Sequence, residues 1–281
     1  MGFGNISISN IDMNYQELYN QILKKRSFLC VGLDSDPTLF PDCLKGVENS
    51  IFLFNKEIID NTADYCVAYK PNLAFYEAEG VEGLRQLDMT VNYIKENYPD
   101  ILIISDAKRG DIGNTAERYA KSFFESMNFD AVTLAPYMGY DSVEPFLAYK
   151  DKWSIVLALT SNKSATDFET LDCNGEPLYK KVITKAMEWG TKDNLMFVVG
   201  ATRPQKLAEI REYCPEHFFL VPGVGAQGGT FEEVAKYGLN SKCGLLVNSS
   251  RGIIFADKTE NFAKVAGQKA KEIALEMAKY I

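Results

Sequence analysis

DILIISDAKRGDIGNTA, residues 100–116, is an apolar run that passes directly into four charges, Asp106, Lys108, Arg109 and Asp111. Its first part, DILIISDAK (100–108), lacks the apolar–polar alternation of a half-exposed strand and suits a parallel strand covered on both faces. Seven more runs share that character: FLCVGLD (28–34), DYCVAYKPN (64–72), FDAVTLAPY (129–137), WSIVLALTSN (153–162), LMFVVGAT (195–202), HFFLVPGVG (217–225) and CGLLVNSSRG (243–252). Segments of helical character separate them, among them 80–98, 114–127, 204–213 and 230–238, with a closing helix near 258–280. Eight strand–helix beats predict an α/β protein, a (β/α)8 TIM barrel, and the right-handed crossover rule leaves few other topologies. An open doubly wound sheet is the alternative.

Length alone allows one barrel or two small domains in 281 residues. No Gly/Ser/Pro-rich linker or low-complexity run divides the chain, so a single domain over 1–281 is expected. An extra N-terminal helix, about 14–26, is expected to cover the barrel bottom. The segment 163–176 after the fifth run is long and polar for a βα connection, which makes it a candidate lid.

Composition narrows the function. With 46% hydrophobic and 24% charged residues the chain can bury a sizeable core without staples. A net charge of −8 argues against a general nucleic-acid partner, since phosphate neutralisation needs a basic face. The six cysteines form no CxxC and no zinc spacing, and Cys30, Cys66 and Cys243, within or at the start of apolar runs, read as buried inert thiols. No apolar stretch reaches the roughly 18 residues that span a bilayer. The opening MGFGNISISN carries no basic-then-apolar leader, and Ile6 stands where a myristoylation signal needs Ser or Thr. A cytoplasmic protein with no membrane partner is expected.

A barrel places functional side chains at the C-terminal ends of its strands. Asp34 ends the first run, Lys70 falls near the end of the second, and Asp106 and Lys108 end the third. Asp106 and Lys108, two apart on an extended segment, are expected to face the barrel mouth together, with Cα atoms about 6.5–7 Å apart. Gly110 frees the backbone to turn, and Asp111 can then return towards Lys108 or reach another subunit. Arg109 alternates to the opposite side and reads as structural. An ion-pair cluster that only caps a strand end is the plain alternative, weakened by four charges from three strand ends at one rim. PGVGAQGG (222–229) and NSSRG (248–252) follow the last two strands, where barrels commonly bind phosphate, and Arg251 can add a bidentate fork. The only histidine, His217, starts a strand at the opposite end, so a histidine base is not expected.

Together VGLD (31–34), YKPN (69–72), DAKRGDIGNTA (106–116), PGVGAQGG (222–229) and SSRG (249–252) resemble the orotidine 5′-phosphate decarboxylase family, in its second bacterial-type subgroup. The resemblance spans most of the chain. It implies a homodimeric barrel that converts orotidine 5′-monophosphate to UMP and CO2 in de novo pyrimidine biosynthesis, with no metal and no cofactor. Carried over by motif, Lys108 would donate the proton to C6, with Asp106 beside the departing carboxylate. Lys70 would join the charge array and bond the ribose, and Asp34 would bind ribose hydroxyls. Asp111 and Thr115 would reach the neighbouring subunit's site. Ser161 resembles the serine that reads the pyrimidine, and Gly223, Gly225, Gln227 and Arg251 fall where the family grips phosphate. TSNKSATDF (160–168) departs from the commoner loop, which loosens the match at Ser161. Magnesium-dependent phospho-sugar lyases of the same suprafamily share D-x-K-x-x-D and stay open as an alternative, as does a non-catalytic phosphoribosyl sensor. VGLD with YKPN favours the orotidylate enzyme.

Overall fold

The computed structural model describes residues 13–200, 204–224 and 229–281. Its elements run α1 (Tyr15–Lys25), β1 (Leu29–Leu33), α2 (Ser50–Thr62), β2 (Ala68–Pro71), α3 (Leu73–Glu77), α4 (Gly80–Asn97), β3 (Leu102–Arg109), α5 (Gly113–Lys121), β4 (Ala131–Leu134) and α6 (Glu144–Leu147). They continue with β5 (Trp153–Leu159), α7 (Leu178–Met187), β6 (Leu195–Val199), α8 (Pro204–Tyr213), β7 (Phe219–Pro222), α9 (Phe231–Gly238), β8 (Leu245–Ser249), α10 (Arg251–Ile254) and α11 (Phe262–Met277). The eight strands are parallel neighbours in sequence order, and β8 pairs back on β1 through Leu29↔Val247 and Cys30↔Asn248. That last pairing closes the sheet, so the fold is the expected (β/α)8 barrel and the open sheet does not form. No helix among the described residues is long and apolar enough to cross a membrane.

The uniform apolarity of the runs follows from burial on both faces. All five residues of β1 and of β6 are buried. On β2, Tyr69 points outward, its hydroxyl donating to Ile59 O of α2 at 3.1 Å, while the next residue, Lys70, points into the barrel mouth. Helix α2 buries Ile51, Phe54, Asn55, Ile58, Ile59 and Thr62, a stripe at helical spacing. Phe54 stacks on Phe40, Phe255 and Phe262 at 4.4, 5.4 and 5.2 Å, fixing the connections after β1 and β8 against α11. Thr230 and Glu233 form a reciprocal capping box that starts α9.

Helix α1 lies across the bottom, as expected. Asn14 caps it by accepting from Glu17 N at 3.0 Å, Trp153 Nε1 at the start of β5 donates to Met13 O, and Tyr15 packs on Phe218 just before β7. Cys30, Cys66 and Cys243 are buried and unpaired. The 163–176 segment is tied to the barrel by Glu169, which accepts from Thr160 N and Thr160 Oγ1 at 2.7 Å each. Only 163–167 is helical, as a short 3-10 turn.

Candidate active site

The charged residues meet at the C-terminal end of the barrel. Lys70 Nζ donates to Asp106 Oδ2 at 2.8 Å and lies 4.0 Å from Asp34 Oδ1; Lys108 Nζ donates to Asp106 Oδ1 at 2.5 Å. The result is a chain of alternating sign, Asp34–Lys70–Asp106–Lys108. Lys70 is buried and the Asp106 side chain is 11% exposed, while the Lys108 side chain is 50% exposed at the mouth. Burial alone would raise the Asp106 carboxyl, but the Lys70 and Lys108 ammonium groups outweigh it and hold the group down at about 2. For Lys70, burial pushes the ammonium down, and Asp106 and Asp34 more than reverse that, so it stays protonated above the ordinary lysine value. Asp34 Oδ1 is buried without a hydrogen-bond partner among the described residues, an acceptor aimed at the mouth.

The convergence of Asp106 and Lys108 does not come from simple strand alternation, and here the sequence reading needs correction. The register of β3 against β4 passes from Ser105↔Val132 to Arg109↔Leu134. Asp106, Ala107 and Lys108 therefore bulge over Thr133 alone. Lys108 sits in the left-handed region at φ 48°, a conformation that costs a non-glycine residue about 1–2 kcal/mol. Thr133 supports the bulge: its Oγ1 accepts from Lys108 N at 2.9 Å and donates to Asp106 Oδ1 at 3.1 Å. Sequence reading missed Thr133, whose one signal is a hydroxyl inside the apolar FDAVTLAPY run. Arg109 does turn to the outer side, pairing with Glu77 of α3 and lying over the Tyr119 and Phe123 rings.

Asp34, Lys70, Asp106, Gly223 and Arg251 line one cavity of about 710 Å³, with Asn72, Asn248, Ser249 and Ser250. Its volume suits a nucleotide-sized ligand. Gly223 adopts φ 88° as the chain turns after β7, a conformation that favours glycine, and Arg251 stands exposed at the start of α10. Gly225 and Gln227 lie outside the described residues. The glycine of VGLD also finds a reason: a Cβ on Gly32 would fall 1.8 Å from Ser250 Oγ and 3.2 Å from Asn248 Oδ1, so only a bare backbone lets the β8 rim lie over β1. Asn72, Asn248 and Ser250 were not singled out from sequence.

Four expected site residues are not among those lining this cavity; Lys108 is joined to it through its bond to Asp106, and the other three stand apart. Asp111 makes no ion pair with Lys108; its Oδ1 accepts from Ile112 N at 2.8 Å, and Thr115 is exposed on α5. Ser161 packs against Gly200, whose Cβ would lie 2.8–3.0 Å from Ser161 atoms. Among the described residues, no cluster of three or more His, Cys, Asp or Glu side chains is placed to hold a metal ion. His217 is buried at the start of β7, away from the mouth, as the sequence indicated.

The model of the orotidine 5′-phosphate decarboxylase / HUMPS family matches residues 27–265. An orotidine 5′-phosphate decarboxylase of Phocaeicola vulgatus is 61% identical over 268 residues, covering 95% of this chain and 98% of its own. One of Bacteroides fragilis is 60% identical over 270 residues, covering 96% and 98%. The structure of Leishmania donovani OMP decarboxylase superposes with a TM-score of 0.78 at 37% identity, covering 94% of this chain and 99% of that one. With a matching family model over most of its length and relatives near 60% identity, the chain belongs to the orotidine 5′-phosphate decarboxylase / HUMPS family.

Proposed function

We propose that this chain decarboxylates orotidine 5′-monophosphate to UMP and CO2, the decarboxylation of de novo pyrimidine biosynthesis, with no metal or cofactor and with Lys108 as proton donor to C6. The observation that carries the reading is the Lys70–Asp106–Lys108 array at the barrel mouth, linked at 2.8 and 2.5 Å. When the C6–carboxylate bond breaks, its electron pair stays on C6 and CO2 departs neutral. The Lys108 Nζ–H bond then gives its proton to that pair, and solvent at the mouth reprotonates the amine. A fixed ammonium about 4 Å from the developing charge, at an effective dielectric near 20, contributes on the order of 4 kcal/mol. An acceleration above roughly 15 kcal/mol needs more. The remainder is assigned to the prearranged charge array and to binding of the remote phosphate, which fixes the base over Lys108.

In this reading Asp106 keeps the Lys108 ammonium aimed, and lies beside the departing carboxylate. Asp34 and Lys70 take the ribose, Ser161 the pyrimidine, and Gly223, Gly225, Gln227 and Arg251 the phosphate. Asp111 and Thr115 complete the site of a second subunit in a homodimer. Support for that pairing comes from the exposure of Thr115 and from Ile112, Tyr137, Met138 and Tyr140, which are 47–90% exposed, an apolar surface suited to a copy of this chain. The continuous closed barrel supports treating 1–281 as one domain. The test is the fall in orotidine 5′-monophosphate absorbance on adding purified protein in excess EDTA. Turnover is expected; silence from folded protein, with activity on a phospho-sugar once magnesium is supplied, would overturn the reading.

A further inference from the structure

We infer that Thr133 is the positioning residue that sets the direction of Lys108, acting through the bulge and not on the substrate. The inference rests on Lys108 being the proton donor. Three residues of β3, Asp106 to Lys108, face Thr133 alone on β4. A strand carrying such extra residues loses its regular backbone partners there, and the Lys108 N–H is received by a side chain, Thr133 Oγ1, at 2.9 Å. The same oxygen turns its own hydrogen to Asp106 Oδ1 at 3.1 Å, the carboxylate oxygen that receives Lys108 Nζ at 2.5 Å. One hydroxyl thus closes a ring: Thr133 to Asp106, Asp106 to Lys108 Nζ, and Lys108 N back to Thr133. The ring fixes both ends of the lysine, its left-handed backbone at φ 48° and its ammonium.

The geometry makes a demand that ordinary core packing does not. Thr133 is 1% exposed, and a valine fills the same volume while removing the donor and the acceptor together. A role in packing alone would leave Thr133→Val active. A positioning role requires the transition state to suffer while substrate binding holds, because Asp34, Lys70 and the phosphate loops are untouched.

The experiment compares Thr133→Val and Thr133→Ser in kcat, KM and melting temperature. Loss of a hydrogen bond to a charged group corresponds to a fall in kcat of about 10- to 100-fold, expected for Thr133→Val with KM little changed, and Thr133→Ser should restore most of it. A Thr133→Val enzyme with wild-type kcat, or a Thr133→Ser enzyme as impaired as Thr133→Val, would overturn the inference. Should Thr133→Val not fold, Thr133→Ala carries the same comparison. Hydrogen exchange at the Lys108 amide provides a readout independent of turnover: exchange should quicken in Thr133→Val and stay slow in Thr133→Ser, and unaltered exchange in Thr133→Val would also overturn it. Wild-type protein inert towards orotidine 5′-monophosphate would sink the proposed function instead, leaving amide exchange to decide whether Thr133 holds the bulge.

Discussion

Asp106→Asn replaces the carboxylate between two ammonium groups with a neutral amide of nearly the same shape. The wild-type carboxylate receives Lys70 Nζ, Lys108 Nζ and Thr133 Oγ1, so both of its oxygens are engaged. Burial works against its ionisation, yet the two lysines hold it at about 2 against an ordinary 3.8. Each tenfold step in an acidity constant is worth about 1.4 kcal/mol, so ionised Asp106 contributes about 2 kcal/mol to folding. Because the folded-state value is the lower one, that contribution is present above pH 3.8 and is lost as pH falls through 2. The variant also leaves Lys70, 4% exposed, with Asp34 at 4.0 Å as its remaining carboxylate neighbour in the array. Stranding one member of a buried pair costs about 3–5 kcal/mol, which sets the upper end of the range. Urea unfolding at pH 7 should show a loss between about 2 and 5 kcal/mol at unchanged m-value, and kcat should collapse because Lys108 has lost its 2.5 Å partner. The stability gap should stay level above pH 4 and narrow below it. A variant as stable as wild type at pH 7, or a gap that does not narrow as far down in pH as the protein stays folded, would refute the reasoning.

Further tests concern the rim, the dimer and the barrel bottom. Gly32→Ala puts a methyl into Ser250, an overpacking that costs about 1–3 kcal/mol; steady-state kinetics should show KM for orotidine 5′-monophosphate rising about tenfold with kcat nearly kept, and an unchanged KM would contradict the role of the β8 rim. Mixing inactive Asp111→Ala and Lys108→Ala proteins should regenerate partial activity in heterodimers, since one composite site would hold both wild-type residues; no recovery counts against shared sites. His217 is held at about 4, first by burial and then by Arg211, with neither ring nitrogen partnered among the described residues. Its neutral form is the one the fold accepts, so wild type should lose on the order of 3 kcal/mol as pH falls from 6.5 through 4. His217→Phe should escape that part of the loss, as unfolding free energies at pH 7 and pH 4 would show; identical losses would remove His217 from the account.

The barrel is legible in sequence because parallel strands buried on both faces must be apolar throughout, and eight such runs with helical spacers admit few closures. Asp34, Lys70, Asp106 and Lys108 are legible for a related reason: charge is costly next to a core, so a charge at the end of an apolar run stands out. The bulge is not legible. It depends on how many β3 residues oppose each β4 residue, a relation between two segments that neither one carries alone. Thr133 was invisible for the same reason, since threonine is an ordinary strand residue until its hydroxyl is seen to receive Lys108 N. The need for glycine at position 32 likewise arises only when Ser250, 218 positions along the chain, is brought over β1.

The central claim is that Lys108 supplies the proton to C6. The most direct measurement pairs turnover of orotidine 5′-monophosphate with calorimetric binding of UMP, for wild-type protein and for Lys108→Ala, both in EDTA. The account expects the wild type to consume substrate, and Lys108→Ala to bind UMP through the intact cavity while its turnover disappears. Turnover by Lys108→Ala near the wild-type rate would contradict it, because the proton would then have reached C6 by another path.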